Sequence, residues 1–204
     1  FRSKYQKKIV NTAWNEGRYG IFADTGTGKT IMGLELAKHY KKTLILCPLS
    51  VIETAWIDDC NLFYPELSIV NCWGNRKKER IESLNTKADV YVMNYESFKI
   101  LKNDIMKMNF DCMIIDESQV MKNMTSQITN ELLQMIDVIP HRFVLSGTPT
   151  PNHNSEIFPQ MKFVEPEVFG NNFYGFQARY FHQDMENPHR WYQTDEDKEA
   201  YFSR

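Results

Sequence analysis

The sequence predicts an α/β domain, a parallel β-sheet covered by helices on both faces, and three observations lead to it. Short apolar runs of strand length alternate with stretches of helical periodicity through most of the chain. Runs such as Thr43-Leu44-Ile45-Leu46-Cys47 and Met113-Ile114-Ile115 contain no polar alternate, which suits strands buried on both sides. The residues with chemical character follow directly after such runs, where a parallel sheet gathers its ligand-binding loops.

Taken in order, Lys4 to Trp14 is an amphipathic helix, with Tyr5, Ile9, Val10, Ala13 and Trp14 on one side and Lys4, Lys7 and Lys8 on the other. Tyr19 to Ala23 is a strand, and Ile31 to Tyr40 is a helix. Thr43 to Cys47 is a strand stopped by Pro48. Ser50 with Glu53 three residues later forms a capping box before Ala55 and Trp56, so a helix starts there. The cycle continues with strand Leu67 to Val70 and the basic helix Arg76 to Leu84, then strand Asp89 to Met93 and helix Ser97 to Met108. Strand Cys112 to Ile115 precedes helix Ser126 to Ile136, and strand Arg142 to Leu145 precedes helix Glu156 to Lys162. Such alternation implies right-handed crossovers. From Pro166 onward the rhythm breaks, with Phe169, Phe173, Tyr174, Phe176, Tyr180, Phe181, Trp191 and Tyr192 before the polar run Asp195 to Glu199. This stretch is expected to form helices on the side of the domain, ending in a solvated tail.

The 204 residues, 42% hydrophobic and 25% charged, suit a single globular domain. No apolar run is long enough for a membrane helix and no charged-then-apolar leader opens the chain, so an intracellular place, cytoplasmic or nucleoid/nuclear, and no membrane partner are expected. The chain opens on Phe1, not Met, and reads as a piece of a longer polypeptide. A net charge of −2 and a pI near 6.2 argue against a surface that coats nucleic acid everywhere, while leaving room for a local basic cleft. Cys47, Cys60, Cys72 and Cys112 lack C-x-x-C spacing and read as free thiols in a reducing compartment.

The stretch Tyr19 to Thr30 joins a buried strand, a glycine loop and a helix start, and this reads as a phosphate cradle. In the loop Thr25-Gly26-Thr27-Gly28 the glycines let the backbone N–H groups turn inward. Lys29 then reaches terminal phosphates, and the Thr30 hydroxyl stands where a magnesium ion would be held. Asp116 and Glu117 are two carboxylates delivered at the tip of a second strand. One can hold the metal, and its neighbour can take a proton from an attacking water. Ser146 and Thr148 place two hydroxyls at a third tip, in position to feel the phosphate state. The cluster Arg76-Lys77-Lys78-Arg80 reads as a solvated helix face before it reads as a phosphate track.

In order and spacing, Ala-x-Thr-Gly-x-Gly-Lys-Thr (23–30), Pro-Leu-Ser (48–50), Asp-Glu-Ser-Gln (116–119) and Ser-Gly-Thr-Pro (146–149) resemble motifs I, Ia, II and III of a superfamily-two helicase. Residues 116–127 and 146–152, followed by Glu156, Phe158 and Val168-Phe169-Gly170, are similar to the Swi/Snf type of that superfamily. Tyr5-Gln6 and Asn94-Tyr95-Glu96 match two more of its motifs. The resemblance covers about residues 4 to 182. It has two departures: the phosphate loop reads as one residue tighter than the family's Asp-Glu-x-Gly-x-Gly-Lys-Thr, and Gln119 stands where the DEAH-like box usually carries His.

The resemblance implies a P-loop (Walker A) lobe of RecA type over residues 1–165, an aromatic-rich helical extension of the same lobe over 166–204, and a second RecA-like lobe outside this chain. It implies ATP and Mg2+ as cofactors and duplex DNA as the partner nucleic acid. Gln6 would bind the adenine edge; Thr25 to Thr30 would hold phosphates, with Thr30 and Asp116 at the metal. Glu117 would activate water with Asp116 and Lys29 beside it, and Gln119, Ser146 and Thr148 would couple hydrolysis to nucleic acid. Ser50, Asn94, Tyr95, Lys122 and Asn123 would lie along DNA, although Ser50 also serves as a helix cap and Tyr95 equally suits a core position. The implied activity is ATP-driven movement along duplex DNA, weak in this lobe alone because an arginine finger would come from the other lobe. A conventional helicase that unwinds RNA or DNA and a non-catalytic ATP-dependent clamp stay open as alternatives. A small-molecule kinase has no need of Lys122-Asn123 or Gly147-Thr148-Pro149.

Overall fold

Six of the apolar runs form one sheet, and every pairing in it is parallel. The computed structural model describes residues 3–187, 191–194 and 196–198. Strands β1 (Arg18–Phe22), β2 (Thr43–Leu46), β3 (Ile69–Asn71), β4 (Val90–Met93), β5 (Cys112–Asp116) and β6 (His141–Ser146) lie in the order β1-β6-β5-β2-β4-β3. The helices that flank and connect them are α1 (Lys4–Glu16), α2 (Lys29–Ala37), α3 (Asp58–Phe63), α4 (Lys77–Asn85), α5 (Tyr95–Ile105), α6 (Gln127–Leu133) and α7 (Ile157–Val164).

Successive strand residues point to opposite faces, so a run without polar alternates feeds two cores at once. Ile45, Val92, Ile114 and Leu145 pack with Val10, Met32, Leu36 and Trp56 under the first helices. Leu44, Leu46, Met93, Met113, Ile115 and Val144 pack with Phe98, Leu101, Leu132 and Phe163 on the other face. This is why these segments carry so little polarity in the sequence. Gly17 ends α1 in the left-handed region (φ 69°), its N–H reaching the carbonyls of Ala13 and Trp14. All four cysteines are buried and free.

Two expectations are corrected. The Ser50–Glu53 capping box does not form: the segment starts as a 3-10 turn (Leu49–Val51), widens into a π-helical turn (Ile52–Ile57) and only then becomes α3. Glu53 turns away to accept from the Asn71 amide, and Ser50 is exposed with its carbonyl accepting from the Thr54 hydroxyl at 3.1 Å. The C-terminal extension is also not all helix. It contains α8 (Phe173–Tyr180) and an antiparallel ribbon of β7 (His182–Gln183) with β8 (Trp191–Tyr192). Its aromatics pack mainly on one another and on α7: Ile157, Phe158, Phe176, Tyr180 and Phe181 form a third apolar cluster. In the polar run, Asp197 pairs with His182 at 3.0 Å and accepts from Thr194, while Asp195 and Glu199 lie outside the described residues.

Candidate nucleotide site

The strand order brings the three predicted loops side by side. Because β6 lies between β1 and β5, the glycine loop after β1, the Ser146–Pro149 loop after β6 and the Asp116–Glu117 tip of β5 meet at one edge of the sheet. Register fixes their heights: Phe22 pairs with Ser146, and Asp116 with Leu145. The Ala23 N–H then donates to the Ser146 carbonyl at 3.1 Å, tying the first loop to the third.

The glycine loop has the geometry of a cradle. Gly26 (φ 80°) and Gly28 (φ 83°) are both left-handed, where side chains with a Cβ fit poorly. Around Gly26 nothing lies within 4 Å of the position a Cβ would take, whereas at Gly28 a Cβ would come 2.5 Å from Gln6 Nε2. Gln6 is 5% exposed and holds this loop from α1: its amide nitrogen donates to the Thr27 carbonyl at 2.9 Å and its oxygen accepts from the Ser3 N–H. The Thr27 hydroxyl donates to Asp24 O at 2.7 Å, and the Lys29 ammonium donates to the carbonyls of Ala23 and Asp24. Thr25 and Gly147 close over Lys29: a Cβ on Gly147 would stand 3.4 Å from both Lys29 Nζ and Thr25 Oγ1. Thr30 is half-buried in the first turn of α2. Counted residue by residue, Ala23–Thr30 has the same length as Asp-Glu-x-Gly-x-Gly-Lys-Thr, so the expected tightening is corrected; the departure is Ala23-Asp24 in place of Asp-Glu.

Asp116 is 9% exposed, and burial raises its carboxyl to about 6, with the Glu117 charge adding to the rise. The Trp56 indole N–H (3.1 Å to Oδ2), the Glu117 N–H (3.0 Å to Oδ1) and the Lys29 ammonium act in the opposite direction. Glu117 is left-handed (φ 54°) although it carries a side chain. Its carboxylate accepts from Gln119 Nε2 at 2.6 Å; Gln119 Oε1 in turn accepts from the Ser146 hydroxyl at 2.7 Å, and Ser146 Oγ accepts from the Thr148 N–H at 3.0 Å. One continuous chain of hydrogen bonds thus runs from the second motif to the third. Gln119 forms it because an amide donates at one end and accepts at the other.

The residues expected along nucleic acid separate into two groups. Ser50, Lys122 and Asn123 are exposed, with the Asn123 side chain shaping its own turn by accepting from Thr125. Asn94 and Tyr95 face inward instead. Asn94 is buried and caps α5 by accepting from the Ser97 N–H, and the Tyr95 hydroxyl donates to the Asp116 carbonyl, with burial pushing that phenol well up. Two site residues carry no label in the motif pattern. Trp56 reaches Asp116 because the π-helical turn re-aims it, a device frequent at functional sites. Gln160 stands fully buried between the two motif loops, and its only sequence signal is a lone amide in the otherwise apolar start of α7.

A family model described as SNF2-related domain matches residues 5–203. The chain is 32% identical over 184 residues to the SWI/SNF-related matrix-associated actin-dependent regulator of chromatin subfamily A-like protein 1 homolog of Caenorhabditis elegans, covering 86% of this chain and 26% of that protein. It is 27% identical over 191 residues to the chromatin-remodeling ATPase INO80 of Saccharomyces cerevisiae, covering 83% of this chain and 13% of INO80. Its fold matches the SWI2/SNF2 ATPase core of Sulfolobus solfataricus, solved in complex with double-stranded DNA, with a TM-score of 0.74 at 22% identity over 87% of this chain and 38% of that one. The chain therefore spans about a quarter or less of these curated relatives. With its three loops at one parallel-sheet edge and nearly its whole length matched, the chain belongs to the SNF2-related domain family.

Proposed function

We propose that this chain is the ATP-binding lobe of a DNA-dependent ATPase that moves along duplex DNA. The observation that carries the reading is the hydrogen-bond chain Glu117–Gln119–Ser146–Thr148, which links a carboxylate able to accept a proton to the loop of the third motif. A purely structural cluster has no use for a carboxyl side chain held on a left-handed backbone. The relatives' printed names, a chromatin-remodeling ATPase and an ATPase core on double-stranded DNA, support the same reading.

The residues present fit ATP with magnesium. Open space around Gly26 admits phosphate oxygens, Lys29 stands over loop carbonyls that anions would replace, and Asp116 is a desolvated carboxylate whose charge a cation would offset. When bound, magnesium would supply charge neutralisation of the phosphates. The chain's own residues do the rest. Thr25, Gly26, Thr27 and Gly28 present backbone N–H groups, Lys29 neutralises, and Gln6, which holds the loop through Thr27, would also bind the adenine edge. Thr30 and Asp116 would hold the metal, Glu117 would take the proton from the attacking water, and Gln119, Ser146 and Thr148 would carry the change to the nucleic-acid side. Exposed Ser50, Lys122 and Asn123 are the DNA contacts, with Asn94 and Tyr95 shaping the site behind them. A second RecA-like lobe supplies an arginine finger, worth roughly 10³–10⁵ in rate, so residues 1–204 alone turn over ATP slowly.

The test compares ATP turnover by the full-length protein with duplex DNA, single-stranded DNA and RNA. Duplex DNA is expected to stimulate most. Glu117→Gln is expected to lower stimulated turnover by about 10²–10⁴-fold with ATP binding retained. Unchanged turnover in that variant would overturn the reading, and separation of a tailed duplex would select an unwinding helicase instead.

A further inference from the structure

Glu117 keeps a left-handed backbone that residues with side chains hold only where their surroundings over-determine it. The determinants lie on both sides of it. Ahead, the Asp116 carboxylate accepts the Glu117 N–H at 3.0 Å, and behind, the Val120 N–H donates to the Glu117 carbonyl at 3.1 Å. The next residue, Ser118, is fully buried and donates its hydroxyl to Gln160 Oε1 at 2.6 Å. Gln160, fully buried as well, donates from Nε2 to the Pro149 carbonyl at 2.6 Å and to the Glu156 carbonyl at 3.0 Å. Both amide hydrogens and the amide oxygen are therefore used, in an orientation no apolar side chain can copy.

We propose that Gln160 is a positioning residue for hydrolysis: from inside the domain it holds the Glu117 turn and the Ser146–Pro149 loop at one separation. It acts as a second bridge between the motifs, beneath the half-exposed Gln119–Ser146 bond. Its helix gives the bridge a further reach. On α7 the neighbouring Ile157 and Phe158 enter the third apolar cluster with Phe176, Tyr180 and Phe181, so a displacement of that aromatic unit is passed to Glu117 through one amide. The inference rests on the ATPase reading above.

The experiment measures DNA-stimulated kcat and KM for ATP of the full-length protein carrying Ser118→Ala, Gln160→Met or both, beside Glu117→Gln and with thermal melts of each. Each single variant is expected to lower kcat by about tenfold, within the usual range of site-to-site coupling, with KM for ATP within about twofold. The double variant is expected to be no slower than the slower single one, because both changes break the same bridge. Ser118→Ala removes one hydroxyl and carries the test by itself if Gln160→Met does not fold. Losses that multiply, a kcat that falls only with the folded fraction, or wild-type kcat in Ser118→Ala would overturn the proposal while Glu117→Gln still abolished turnover. A wild-type protein without turnover, or one indifferent to Glu117→Gln, would instead remove the ATPase reading and this inference with it.

Discussion

Strand β6 carries a buried polar residue near each end, and the two behave differently. Near its amino end Arg142, 1% exposed, donates to the carbonyls of Phe163 (2.6 Å), Val164 (3.1 Å), Ile139 (2.8 Å), Ile136 and Pro140. Burial lowers this guanidinium to about 10, yet its charge is matched by carbonyls at the end of α7 and in the turn after α6, of which Pro140 also accepts from Arg18 Nε. At its carboxyl end Ser146, fully buried, hands its bonds on to Gln119 and the Thr148 N–H, beside a left-handed glutamate and a carboxyl raised to about 6. The first network is closed and serves the fold. The second keeps a left-handed acidic residue and a desolvated carboxyl at the sheet edge, which is what the proposed reaction and relay would require.

The sharpest way to break this contrast is Arg142→Leu. Five carbonyls lose the Arg142 guanidinium, and Pro140 keeps the Arg18 Nε–H as a donor (3.2 Å), so a loss of about 3–5 kcal/mol is expected, read as a lower urea midpoint. A variant of wild-type stability would show that the closed network is dispensable.

At the other end Asp116→Asn should do the reverse. The Asp116 carboxyl has a folded pKa near 6 against an ordinary 3.8, so its contribution to stability is complete below about pH 4 and is lost as pH rises through 6. Asparagine has no such loss. In magnesium-free buffer the variant is expected to match wild type at pH 4 and to exceed it at pH 8 by up to about 3 kcal/mol. Thermal melts at both pH values decide, and an equal shift at both would contradict a desolvated carboxylate.

The smallest effect belongs to Ser50→Ala. Its hydroxyl caps no helix, so stability should change by less than about 0.5 kcal/mol, whereas a true N-cap would cost about 1 kcal/mol. Chemical denaturation separates the two. If stability is unchanged while DNA affinity falls, Ser50 acts at the DNA.

Much of the fold was legible. Leu44, Ile45 and Leu46 predicted a two-faced strand, and each in fact feeds one of the two cores. Gly26, Gly28, Lys29, Asp116, Glu117, Ser146 and Thr148 were legible as a set because their spacing after apolar runs places them at strand tips. The Ser50–Glu53 pair misled because a capping pattern is local, and contacts between Glu53 and Asn71 of β3 prevailed over it. The ribbon β7–β8 was hidden because two-residue strands leave no periodic signal. Trp56, Gln160 and Arg142 were hidden for another reason: their partners lie up to 60 residues away, and in sequence they read as core filler, a stray amide and a strand start.

The sequence by itself determined the six strands of the main sheet and most of the helices around it, that the sheet is buried on both faces, and which residues arrive at its carboxyl edge. Those properties follow from composition and periodicity within a few residues. Only the tertiary structure decided that β6 lies between β1 and β5, that a π-helical turn aims Trp56 at Asp116, and that Gln119 and Gln160 make two separate bridges between the motifs. Such choices depend on which distant donors and acceptors burial brings within about 3 Å of one another, and no local pattern encodes that.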